Sequence, residues 1–212
     1  VLTDFFETDF PALFTGNFES KSRFSNRILW EGQPENLQNF LAINDKRLFK
    51  QKFSIITDET YKSFGMKRSS ISYCNNIFHN FDLIKWTKEN LLLEAISCDV
   101  GIIPINMDIP IYAAKPENKA ILMFLLGLPV IASPTLAYKN LFKQAEVTEL
   151  LITKQIDWME RIENIRIMKN SFRNDLSAHL RMFAIKNYST SVLCKSWDLL
   201  LEEITDESTL PS

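Results

Sequence analysis

The stretch KPENKAILMFLLGLPVIAS, residues 115–133, constrains the fold more than any other part of the chain. Its apolar run, 120–132, is broken by Gly127 and Pro129 and falls short of the roughly 20 residues a membrane-spanning helix needs. Pro116 suits the first helical position, where its missing N–H costs nothing. Glu117 then falls in the first turn, where a negative charge offsets the helix dipole. Residues 120–126 are apolar all round, so this helix is expected inside the protein rather than on it. Gly127 suits a left-handed C-terminal cap, and Pro129 stops the helix. PVIAS (129–133) then reads as a short buried strand.

The same grammar recurs along the chain. RILWEG (27–32) reads as a buried strand ending in a glycine turn, and 34–49 places Leu37, Phe40, Leu41 and Leu48 at helical intervals. KFSIITD (52–58) is a second strand, followed by a short helical piece up to Gly65, and SSISYCN (69–75) is a weaker third. A helix over 87–98 starts from a Thr87 cap and runs into DVGIIPI (99–105), a strand buried on both faces. A helix near 135–145, a strand at 149–153 and two or three amphipathic helices from 155 to 205 complete the reading. Strands alternating with helices imply an α/β fold, a doubly wound parallel sheet with C-terminal helices.

Composition excludes several functions. A net charge of -2 leaves no global footprint for nucleic acid. Basic clusters occur at 45–52 and 161–173, and the second, with helical spacing and interleaved acids, reads as a solvated helix face. Three cysteines without CxxC spacing argue against a disulfide scaffold or a zinc site and fit a reducing, cytoplasmic setting. GxGxxG, Walker A, HExxH, GxSxG and DxD patterns are all missing, so no metal site is expected. His79 and His179, the two histidines, read as structural or surface residues. Val1 in first place points to a piece of something longer.

Ligands of a doubly wound sheet bind beyond the carboxyl ends of its strands. The loop after DVGIIP is the longest candidate, and it delivers Lys115, Asn118 and Lys119 to a helix N-terminus. Unpaired backbone N–H groups and lysines both favour phosphate there. Lysines that simply keep the mouth of a buried helix solvated would look the same.

Several pieces in order, ILWEG, KWTKENLLLEAISCDVGIIPI, KPENKAILMFLLGLPVIAS and AYKN, resemble the C-terminal, donor-binding domain of GT-B glycosyltransferases of the retaining, group 1 kind. VLTDFFETDF is similar to that family's hinge strand, and YSTSVLCKSWDLLLEEI to its final crossover helix. The resemblance implies a hinge at 1–24, a Rossmann-like nucleotide-sugar domain at 25–187, and a crossover helix and tail at 188–212. It also implies that Gly32 lets the first loop approach the donor phosphates and that Lys115, Glu117, Asn118 and Lys119 surround them. Ser133 would begin the far wall. The donor is then a substrate, no separate cofactor or metal is implied, and no catalytic residue is assigned.

The implied partners are a nucleotide-sugar, a glycan or lipid-linked acceptor and an N-terminal acceptor domain, with peripheral membrane association compatible. Without that domain these residues are expected not to transfer sugar. Two glutamates usual in the family would fall at Ala114 and Leu122, and both are absent. The competing expectation is therefore a degenerate, non-catalytic relative acting as a binding module. A receiver or flavin-binding domain would need an acidic pocket after the first strand or a phosphate loop, and neither is evident.

Overall fold

A computed structural model of the chain describes residues 25–63, 65–152 and 157–207, so the expected hinge at 1–24 lies outside the described residues. Five strands form one parallel sheet: β1 (Arg27–Glu31), β2 (Lys52–Thr57), β5 (Asn80–Lys85), β6 (Val100–Ile103) and β7 (Val130–Ala132), in the order β5-β2-β1-β6-β7. The short strands β3 (Thr60–Ser63) and β4 (Met66–Ser69) make a separate antiparallel hairpin. The helices are α1 (Ser70–Asn75), α2 (Lys88–Ser97), α3 (Pro110–Ala113), α4 (Asn118–Leu125), α5 (Leu136–Gln144), α6 (Asp157–Ile167), α7 (Asn170–Tyr188) and α8 (Thr190–Glu207). None of the described helices is long and apolar enough to cross a membrane.

The central strands are buried because helices cover both faces. Ile28, Leu29, Val100, Val130 and Ile131 have no exposed surface. Helix α4 is buried from Ala120 to Leu125 and packs chiefly on α7. It ends as expected. Gly127 takes a φ of +63°, its N–H donates to Phe124 O at 2.8 Å, and the Leu128 N–H donates to Met123 O at 3.0 Å. That pair of bonds is a Schellman cap. The start differs from expectation: Glu117 is the cap residue and Asn118 the first helical residue, so Pro116 lies outside the helix.

Four other expectations are corrected. Residues 34–42 form a 3-10 helix, because Pro34, Leu37 and Phe40 recur every three residues and make one buried column. Leu41, counted on the buried face, is 69% exposed as a result. The segment 60–69 is a hairpin rather than a helical piece, with Gly65 at φ +77° in its turn. Residues 70–75 are helical rather than extended: the Ser69 hydroxyl caps the Ser72 N–H and Ser70 Oγ donates to Asp58 O. Of the strand expected at 149–153, the described residues 149–152 hold a single bridge, Leu151 to Ala132, after a 3-10 turn, and residue 153 lies outside the described residues. Strand β5, which sequence reading passed over, fills one edge of the sheet.

Phe40 fixes the 3-10 helix to the sheet. Its ring meets Trp30, Phe53 and Phe78 edge-on, with centroids 5.8, 6.0 and 4.9 Å away. Such contacts add to the apolar area buried. With that column facing inward, the helix carries Asn36 and Asn39 toward the carboxyl end of the sheet.

Candidate functional site

From β1 the chain winds outward through β2 and β5, then returns to β6 and β7 on the other side. The reversal opens a crevice between the carboxyl ends of β1 and β6, where open α/β sheets bind ligands. A cavity of about 290 Å³ occupies it. Trp30 and Glu31 end β1 on one side, and Ile103, Pro104 and Ile105 follow β6 on the other. Asn36 and Asn39, one 3-10 turn apart, form a wall. The mouth of α4 faces them with Lys115, Asn118, Lys119 and Leu122, and Tyr138 of α5 closes the rear.

Lys119 makes the most direct contact across the crevice. Its ammonium donates to the backbone oxygen of Glu31 at 2.6 Å and lies 3.5 Å from Glu31 Oε1. It also sits 5.4 Å from the Trp30 ring centroid. The Glu31 side chain is only 8% exposed, and a buried carboxylate needs such a partner. Gly32 makes room for it. A Cβ there would fall 2.4 Å from Lys119 Nζ, and its φ of +152° disfavours any side chain. The Gly32 N–H donates to Ile56 O at 3.1 Å and Thr57 Oγ1 donates to Gly32 O at 2.6 Å, which ties the turn to β2.

Lys115 reaches across the mouth and donates to Asn36 Oδ1, with its ammonium 4.4 Å from the Tyr112 ring centroid. Burial, and then the charge of Lys119, lower its pKa below the ordinary lysine value. The cavity wall thus holds two ammoniums against one carboxylate. Burial holds the Tyr138 phenol above its usual range, with the negative charges of Glu31 and Glu117 adding to the effect.

The remaining expected residues have different positions. Asn118 opens α4 and lines the cavity. Glu117 caps the helix through its backbone, accepting from the Ala120 N–H at 2.8 Å and the Ile121 N–H at 3.1 Å. The first two helical amides, of Asn118 and Lys119, therefore precede the first intrahelical donor and point to the helix mouth. Ser133 is buried outside the cavity lining. Its hydroxyl accepts the Ile105 N–H at 2.9 Å and its own N–H donates to Ile103 O at 3.1 Å, so it braces the turn after β6.

Leu122 puts an aliphatic side chain in the wall, whereas Ala114 lies exposed at the end of α3 and does not line it. Sequence reading missed Glu31, Asn36 and Asn39. The two asparagines could have been found from their spacing of three. Glu31 ends an apolar strand immediately before a glycine, itself a readable signal.

No protein-family model matches the chain. Among curated proteins, histidinol-phosphate aminotransferase of Buchnera aphidicola subsp. Cinara cedri (strain Cc) is 29% identical over 133 residues, covering 61% of this chain and 35% of that protein. A partial match of that kind assigns no family. Solved structures match over far more of the chain. TarM does so with a TM-score of 0.60 and 13% identity over 86% of this chain and 36% of that one. Trehalose-6-phosphate synthase OtsA gives 0.56 and 12% over 96% and 50%. WaaG, a glycosyltransferase involved in lipopolysaccharide biosynthesis, gives 0.53 and 12% over 84% and 48%. This chain spans half or less of each. Its parallel sheet, switch-point crevice and long C-terminal helices are the fold of one GT-B glycosyltransferase domain.

Proposed function

We propose that the crevice holds the diphosphate of a nucleotide-sugar, and that the chain is the donor-binding half of a retaining glycosyltransferase whose other half supplies the acceptor. One observation carries the reading: the ammoniums of Lys115 and Lys119 lie at one cavity with Asn118, where α4 begins, at the switch point of the sheet. Charge builds on the departing diphosphate as its bond to the anomeric carbon breaks. Donors held beside that position stabilise it electrostatically once the ammoniums turn from Glu31 and Asn36 to the phosphate. Lys119 and Lys115 act here as hydrogen-bond donors and counter-charges, and the acceptor and any proton-handling group come from the second half.

A second reading has its own support. Glu31 already engages Lys119, and Leu122 offers aliphatic surface to the cavity. Both features suit a binding module that recognises a nucleotide or precursor without transferring sugar.

Thermal unfolding with UDP, GDP, ADP, CDP and TDP, and with their sugars, tests the assignment. A ligand at about 100 times its Kd adds roughly 2.7 kcal/mol. The donor-half reading expects one diphosphate to produce that gain and Lys119→Ala to remove it. Stability unchanged by every diphosphate removes the nucleotide site altogether. Binding without transfer, once a partner domain is supplied, selects the second reading.

A further inference from the structure

The loop between β6 and α4 is held to the rest of the protein chiefly by polar contacts. No residue from 106 to 114 is buried, and 107–111 and 114 are exposed. Tyr112, half-buried, meets the edge of the core. Three contacts tie the loop to the 3-10 helix at 34–42, and they run in antiparallel order. Asn39 Oδ1 accepts the Asn106 N–H at 2.9 Å, Gln38 Nε2 donates to the Tyr112 hydroxyl, and Asn36 Oδ1 accepts from the Lys115 ammonium.

The three contacts are not equivalent. Asn39 is buried and its own Nδ2 donates to Asn36 O at 2.9 Å, so the first starts from a fixed side chain. Gln38 is exposed, and water competes for its amide. The third is charge-assisted, and because Asn36 and Lys115 both line the cavity, it bridges the mouth of the crevice. Lys115 therefore has two competing uses. In the free protein its ammonium meets a neutral amide oxygen, whereas the diphosphate assigned to the crevice offers it an anion, the stronger acceptor. A segment with so little buried apolar surface opens at low free energy, so losing one contact of three matters.

We propose that residues 106–115 form a strap latched across the crevice mouth in the free protein, and that a bound phosphate loosens the latch by drawing Lys115 from Asn36. The latch stands on the three contacts themselves, and its loosening by phosphate rests on the donor-site reading. A ligand shifts such an equilibrium only through contacts that differ between the two states, and Lys115 supplies that difference.

Amide hydrogen exchange of the full chain tests both parts, read in a peptide covering 105–115 and, for reference, in strand β1 at 27–31. The Asn106, Ala113 and Ala114 N–H groups of the strap are hydrogen-bonded and report its opening. Without ligand, Gln38→Ala and Lys115→Met are each expected to speed exchange at 105–115 about fivefold and to leave 27–31 unchanged. Gln38 is exposed, so its variant removes no core contact. Exchange unchanged in either variant, or raised equally at 27–31, overturns the latch. UDP, GDP, ADP, CDP and TDP are then added in turn to wild type, with binding read from the Lys119 backbone amide in proton–nitrogen spectra. A diphosphate that binds is expected to speed exchange at 105–115 about fivefold, and one that binds but leaves it unchanged or slows it overturns the loosening. If none binds, the donor-site reading fails and the loosening with it, while the two variants still decide the latch.

Discussion

Lys119 occupies the space that a side chain on residue 32 would need, its Nζ only 2.4 Å from where a Gly32 Cβ would stand. Two residues far apart in sequence therefore constrain each other. With glycine at 32 the lysine reaches Glu31 without displacement, whereas a side chain there would have to push the ammonium aside.

Gly32→Ala tests that dependence. The variant carries backbone strain at φ +152° and pushes the ammonium away from Glu31. A loss of about 1–3 kcal/mol is expected, together with weaker diphosphate binding. Urea unfolding and a UDP titration measure the two effects, and a variant equal to wild type in both would separate Gly32 from Lys119.

The ionisation of Lys115 predicts a pH dependence. Burial, and then Lys119, place its pKa below 10.5, and a bound phosphate favours the protonated form. Diphosphate affinity is then complete below the lowered pKa and declines as pH rises through it, before an ordinary lysine would titrate. Lys115→Arg keeps its charge throughout and moves the decline upward. Titrations between neutral pH and the lysine range read this directly.

Asp45 supports the turn that joins the 3-10 helix to β2. The Arg47 guanidinium grips both its carboxylate oxygens at 2.9 Å, and the Arg47 N–H donates at 3.1 Å. Burial alone would raise the Asp45 pKa, but the Arg47 bonds and the Met159 amide outweigh it, so the folded value lies below 3.8. The stabilisation is present above that value and disappears as pH falls through the folded pKa. Asp45→Asn is expected to cost about 1–2 kcal/mol at neutral pH, and its deficit relative to wild type to shrink in acid. Denaturant midpoints across the acid limb measure the gap.

The parts of the fold legible in the sequence were those with continuous apolar runs. Strands β1, β2, β6 and β7 are buried throughout or nearly so, and nothing but a sheet interior accommodates them. Edge strand β5 alternates exposed and half-buried residues and carries no such run. The 3-10 helix escaped because a period of three was read as 3.6, and α1 because a serine cap outweighed a brief apolar alternation. In the site, the helix mouth announced Lys115, Asn118 and Lys119 locally. The pairing of Glu31 with Lys119 was not legible, because the two lie 88 residues apart and only the sheet order brings them together.

The balance between Glu31 and Lys119 is where the donor-site account is most exposed. Calorimetric titration of wild type, Glu31→Gln and Lys119→Ala with the best-bound nucleoside diphosphate tests it most directly. Removing the carboxylate frees the ammonium and lifts a repulsion, so Glu31→Gln should bind about tenfold more tightly than wild type. Lys119→Ala should bind at least about tenfold more weakly. Equal affinities across the three proteins, or no heat from any diphosphate, would contradict the account.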